Sequence, residues 1–136
     1  MKKVVLDTNI YIDWLNQGLR EGLMLGPGLV RYLSAVVVME HRAGAHARAG
    51  RLSIDHLARV YGASDRLIAP PQAVFDRAGS VLRRLKLAGH EVRSASFVND
   101  VLIALGARAI GATVVTANFS DFVAIREIVP FALERA

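Results

Sequence analysis

Acidic and hydroxyl side chains recur at four points where this sequence changes character. Asp7 ends the apolar run Val4-Val5-Leu6. Glu40 follows Ala35-Val36-Val37-Val38-Met39. Asp100 sits in a nearly all-apolar stretch running from Val98 to Ile110. Thr116, Asn118 and Asp121 belong to the polar turn Thr116-Ala117-Asn118-Phe119-Ser120-Asp121-Phe122. Brought into one cleft, these residues would offer oxygen donors, which Mg²⁺ and Mn²⁺ prefer. A carboxylate cluster with one or two such ions can activate water and stabilise a phosphoryl transition state, two ions standing ~4 Å apart. Metal-dependent phosphodiester hydrolysis is the chemistry that suits this set.

Each residue also has a plainer explanation. A carboxylate between a strand and a helix often only caps the helix, which accounts for Asp7 as well as chemistry does. Glu40 shares a helical side with Val36, Val37 and Gly44, and an ion pair with Arg42 or Arg48 would relieve it. Asp100, one turn on from Ser96, would be favoured by the positive end of a helix dipole. Asn118, Ser120 and Asp121 are ordinary turn formers. The functional reading rests on the four places together.

Alternating strands and helices must carry these side chains. Val4 to Leu6 reads as a strand buried on both faces, as in parallel sheets. Ligands of open α/β sheets bind beyond the carboxyl ends of the strands, where Asp7 would stand. Thr8 to Asn16 is the next helix, with Ile10, Tyr11, Trp14 and Leu15 as its apolar stripe, Asp7 or Thr8 as its cap and Gly18 as its stop. Glu21 to Gly28 holds a short helix and a turn, and Leu29 to Leu33 a second strand. Ser34 caps a helix from Ala35 to about Arg48, and Ser53 caps another over Ile54 to Tyr61. Leu67 to Ala69 is a short strand. Pro70-Pro71 precede a helix reaching Leu87. Ser96 opens the long apolar helix and Gly111 closes it. Thr113 to Val115 is a buried strand, and Phe131 to Leu133 an edge strand next to Pro130. The expected architecture is α/β, a mostly parallel sheet between helical layers.

The totals agree. With 136 residues, 53% of them hydrophobic, the chain suits one domain over 1–136 with a real core. Mean hydropathy is +0.34, yet no apolar run reaches the ~18 residues of a membrane span. Met1-Lys2-Lys3 is followed too soon by Asp7 for an export signal, so a cytoplasmic location without membrane attachment is expected. There are 0 Cys, which removes disulfides and thiolate chemistry. A net charge of +5 and a pI near 10.2 make nucleic acid a leading candidate partner, with solubility alone as the plain alternative. His41, His46, His56 and His90 show no metal-binding spacing and are expected at the surface or in contact with RNA.

Leu6-Asp7-Thr8-Asn9, Ser34 through Glu40, Asn99-Asp100 and Val115 through Phe122 together resemble the PIN domain. More narrowly, they resemble the VapC-type toxin ribonucleases of toxin–antitoxin pairs. The resemblance covers essentially the whole chain. It implies an α/β/α sandwich, Mg²⁺- or Mn²⁺-dependent endoribonuclease activity on an RNA substrate, a homodimer, and a cognate antitoxin whose tail enters the active-site groove. It maps Asp7, Glu40 and Asp100 onto the metal-holding acids and Thr116 onto the hydroxyl that orders the site. The family often has a fourth acid where this chain has Asn118. An amide there keeps an oxygen ligand but loses a charge, and Asp121 is the residue that would supply the carboxylate.

Two other classes compete. A phosphotransfer enzyme or phospho-accepting regulator also carries an Asp after its first strand. The phosphatase version wants a second Asp where Asn9 stands, and the regulator version wants a Lys that the Thr113 to Asp121 segment lacks. A non-catalytic RNA- or protein-binding module would act through the basic face or through Trp14 and its apolar neighbours.

Overall fold

The computed structural model describes residues 1–136. Its elements run β1 (Lys2–Leu6), α1 (Thr8–Gln17), α2 (Glu21–Leu25), β2 (Leu29–Ser34), α3 (Ala35–Gly44), α4 (Arg48–Ala63), β3 (Leu67–Ile68), α5 (Gln72–Leu87), α6 (Ala95–Ala109), β4 (Thr113–Thr116), α7 (Phe119–Ile128) and β5 (Leu133–Arg135). The five strands form one sheet in the order β3-β2-β1-β4-β5. Every pairing is parallel. The expected α/β/α architecture is therefore correct.

β1 lies at the centre because its apolar residues can be buried on both faces. Val4, Val5 and Leu6 are all inaccessible, as are Val114 and Val115 in β4 beside it. After β1 the chain moves to one side of the sheet, to β2 and then β3. After β4 it moves to the other side, to β5. The gap between the carboxyl ends of β1 and β4 is thus the switch point of the sheet, where open α/β folds leave a crevice.

α6 is the buried helix, with Val101 through Leu105 and Ala107 all in the core. It packs against β1, β4, α3, α5 and α7. Ile10 and Tyr11 of α1, Leu33 of β2, Leu85 of α5 and Phe122 and Ile125 of α7 complete the same core. The α1 stripe is core at Ile10 and Tyr11, whereas Trp14 is half-buried and Leu15 exposed.

Several boundaries differ from the sequence expectation. Ser34 caps α3 as expected, accepting the Val36 N–H at 3.1 Å, but α3 stops at Gly44 rather than near Arg48. A single helix, α4, then runs from Arg48 to Ala63. Ser53 is inside it, and its hydroxyl donates to the Ala49 carbonyl one turn back, so it caps nothing. α6 is capped by Ser94, which accepts the Phe97 N–H at 3.1 Å, and not by Ser96. The last strand begins at Leu133 instead of Phe131; Phe131 packs edge-on against Phe122. Gly18 and Gly111 do end α1 and α6, at φ +66° and +70°, where a side chain would be strained.

A carboxylate cluster at the switch point

Asp7 is the first residue beyond β1. One carboxylate oxygen accepts the Thr8 N–H at 2.8 Å, so the helix-cap reading is true. The other oxygen accepts the Thr116 hydroxyl, also at 2.8 Å, from the end of β4. That hydroxyl accepts the Asn118 N–H at 2.9 Å. With its acceptor side engaged by a backbone amide, the Thr116 proton points at Asp7. Cap and site are one carboxylate with two jobs.

Glu40 comes from α3, which β2 and the Ser34 cap aim across the crevice. It accepts the Thr8 hydroxyl at 2.8 Å. Thr8, the residue after Asp7, therefore ties Glu40 to the start of α1, a role no local pattern announces, because the partners lie 32 positions apart. Asn118 donates its side-chain amide to Asp121 at 3.0 Å. It orients the carboxylate that stands near the others.

Asp100 is the most perturbed member. With Ser94 as the cap, it lies in the second turn of α6, past the reach of the helix dipole. It is only 4% exposed, and its Oδ2 is buried without a hydrogen-bond partner. Burial, and then the nearby charges of Asp7, Glu40 and Asp121, push its carboxyl up to about 8. Burial likewise raises Asp7, against the hydrogen bonds from Thr116 and Thr8, with Asp121 adding to the rise. Glu40 is raised by burial and by Asp7, against Thr8 and Asn99. The six residues singled out in the sequence are brought together at the switch point, and the four carboxylates sense one another.

No cation answers them. The ion pairs of the molecule are Lys2–Glu134, Arg20–Asp13, Arg42–Asp55 and Arg93–Glu91. Arg42, a candidate partner for Glu40, is thus engaged by Asp55 instead. Uncompensated buried carboxylates are costly. A divalent cation among hard oxygen donors would remove that cost, and the orphaned Asp100 Oδ2 is a ligand atom without other employment. Hard oxygen donors are the kind that Mg²⁺ and Mn²⁺ prefer. As the side chains lie, the acids are neighbours and not a closed cage of three His, Asp or Glu groups.

His41 departs from expectation. It is 9% exposed, both ring nitrogens lack partners, and burial lowers its pKa. His46, His56 and His90 are exposed.

Comparison with known proteins returns structures alone. No family model matches the chain, and no curated protein does. The VapBC2 structure from Rickettsia felis, bound to a DNA fragment from its promoter, aligns at TM-score 0.72 with 23% identity over 98% of each chain. The DNA-bound VapBC structure from Salmonella typhimurium aligns at TM-score 0.69 with 26% identity, over 99% of this chain and 98% of that one. VapBC-5 from Mycobacterium tuberculosis, a member of the VapBC family of toxin–antitoxin systems, aligns at 0.64 with 22% identity over all of both chains. This chain has a PIN-type fold. The fold that the motif resemblance implies thus holds along the whole chain.

In this PIN-type domain Thr116 is the hinge between cluster and sheet. Thr116→Val keeps the shape and removes both hydrogen bonds. It is expected to weaken Mn²⁺ binding by about 10–100-fold, the usual cost of losing a group that orients a ligand. Titration calorimetry against Thr116→Ser, which keeps the hydroxyl, checks this; equal affinities for the two variants would deny Thr116 the role.

Proposed function

We propose that this chain is a metal-dependent endoribonuclease, the toxin of a VapBC-type pair. The observation that carries the reading is the cluster of Asp7, Glu40, Asp100 and Asp121 with no cationic partner. Asp7, Glu40 and Asp100 would hold Mg²⁺ or Mn²⁺, with Asp121 and Asn118 on the far side. When bound, the ion supplies Lewis-acid polarisation of the phosphoryl group and the activation of water. The protein's own residues do the rest. Thr116 and Thr8 fix the Asp7 and Glu40 carboxylates, and Asn118 fixes Asp121. The Asp100 proton must leave before its carboxylate can serve as a ligand. The net positive charge of the chain draws in a polyanionic substrate.

The toxin assignment is supported by the VapBC structures that share the fold. An apolar groove between α1, α2 and α4, lined by Trp14, Leu15, Met24, Leu25, Leu52 and Leu57, suits a partner helix such as that of a cognate antitoxin. A homodimer belongs to the same reading. That groove also favours the second reading, a protein-binding module without catalysis.

Cleavage separates the two. Labelled RNA is expected to be cut with Mg²⁺ or Mn²⁺ and left intact with EDTA. RNA that stays intact under every metal condition leaves the binding module as the function.

A further inference from the structure

The acids create a difficulty for their own substrate, because RNA phosphates flanking the reacting bond are repelled by carboxylates that the ion does not neutralise. A compensating cation is needed beside the cluster. Two guanidinium groups stand at the right edge of the sheet. Arg135 lies on β5 in register with Thr116 on β4, and adjacent strands are about 4.8 Å apart. The following residue ties down the same place, the Ala136 N–H donating to the Thr116 carbonyl at 2.9 Å. The Arg135 guanidinium sits over the ring of Phe119, 4.4 Å from its centroid. Arg126 approaches the same ring at 6.0 Å.

Helical spacing explains the grouping. Phe119, Phe122 and Arg126 fall on one side of α7, and Leu133 and Arg135 fall on one side of β5. Phe122 meets Phe131 edge-on in the core. One step outward, Phe119 meets Arg135. Phe119 is half-buried, and both arginines are exposed. Neither belongs to any ion pair of the molecule. Stacking on an aromatic face holds a guanidinium in place without using its donors. The donors remain free for a phosphate, which a guanidinium can take with two parallel hydrogen bonds.

The geometry points to a substrate clamp in which Arg135 and Arg126, held on Phe119, bind the backbone phosphate of single-stranded RNA next to the bond being cut. This rests on the ribonuclease reading. Phe119 lies between Asn118 and Asp121, so the clamp is built from the same turn as the far side of the acid cluster. Ring and cluster share one rigid support, and a phosphate seated on Arg135 has a fixed relation to Thr116 and Asp7.

The test is binding of a short fluorescein-labelled single-stranded RNA of mixed sequence, followed by anisotropy across a salt series. Mg²⁺ is present, and the Asp7→Asn background keeps the RNA whole. Adding Arg126→Ala and Arg135→Ala together is expected to weaken binding about tenfold at low salt. The slope of log affinity against log salt should become shallower by about 0.7 for each phosphate that the chain no longer neutralises. Phe119→Leu retains both charges, so it should keep the slope and reduce affinity only about threefold. Unchanged affinity and slope in the double-arginine chain, alongside metal-dependent cleavage by the unaltered protein, overturn the clamp alone. If the unaltered protein cuts no RNA with metal, the ribonuclease reading falls and takes the clamp with it.

Discussion

Asp7→Asn is expected to lower metal-dependent RNA cleavage by on the order of 10³-fold, about 4 kcal/mol of transition-state stabilisation. The substitution is nearly isosteric, and its side-chain oxygen can still accept the Thr8 N–H and so cap α1. What disappears is a negative charge at the end of β1, where the carboxylate also accepts the Thr116 hydroxyl from β4. A second readout separates ligand loss from misfolding. Mn²⁺ at about 100 times its dissociation constant should stabilise the unaltered protein by ~2.7 kcal/mol. The Asp7→Asn variant should show little of that gain while melting, without metal, no lower than the parent. Cleavage by Asp7→Asn equal to that of the parent would remove Asp7 from the mechanism.

Asp100→Asn should do the opposite to stability. The Asp100 carboxyl titrates near 8 in the folded chain against an ordinary value of 3.8. Between those values the metal-free native state holds a proton that the unfolded state has released. Stability therefore rises as pH falls from about 8 toward the ordinary carboxyl range, and the loss at higher pH is complete once the folded group ionises. Asp7 and Glu40, also raised, add to the same trend. The amide that Asp100→Asn introduces carries no titrating proton. This variant is expected to stabilise the metal-free chain at alkaline pH by on the order of 2–4 kcal/mol, the gain shrinking as pH falls. It should also fail to cleave RNA or to be stabilised by Mn²⁺. Chemical denaturation at several pH values checks the stability half, and the same measurement with Mn²⁺ checks the other. A variant less stable than its parent at alkaline pH would refute the account of the buried charge. Both results together, a more stable empty fold and no cleavage, would be a stability–activity trade-off at one side chain.

The acids were legible because each one breaks a local pattern. Asp7 ends a run too apolar to be anything but a central strand, and Asp100 is the only acid in the buried α6. Asn118 and Asp121 are close in sequence, so their hydrogen bond follows from one turn of chain. Thr8 was legible only as a cap, since its hydroxyl partner Glu40 is distant in sequence. Helix starts were misread where serines competed. Ser94 accepts the N–H three residues on, at Phe97, and Ser96 lies inside the first turn of α6. α4 starts at Arg48 behind Ala47, with no side-chain cap at all, which leaves Ser53 as the only visible signal and a false one. His41 is buried by the packing of α3 against its neighbours, and a polar ring adjacent to Glu40 gives no hint of that in sequence.

The central position of β1 also sets the order in which the molecule can become competent. The hydrogen bond between Thr116 and Asp7 joins residues 109 positions apart, and long-range pairings of this kind form late and slowly. A chain emerging from the ribosome presents Asp7 and Glu40 long before Asp100, Thr116 and Asp121 exist to stand beside them. Half of the cluster, and the strand that props Asp7, arrive only with α6, β4 and α7. The nascent protein thus carries its chemistry disassembled until those three elements have been made.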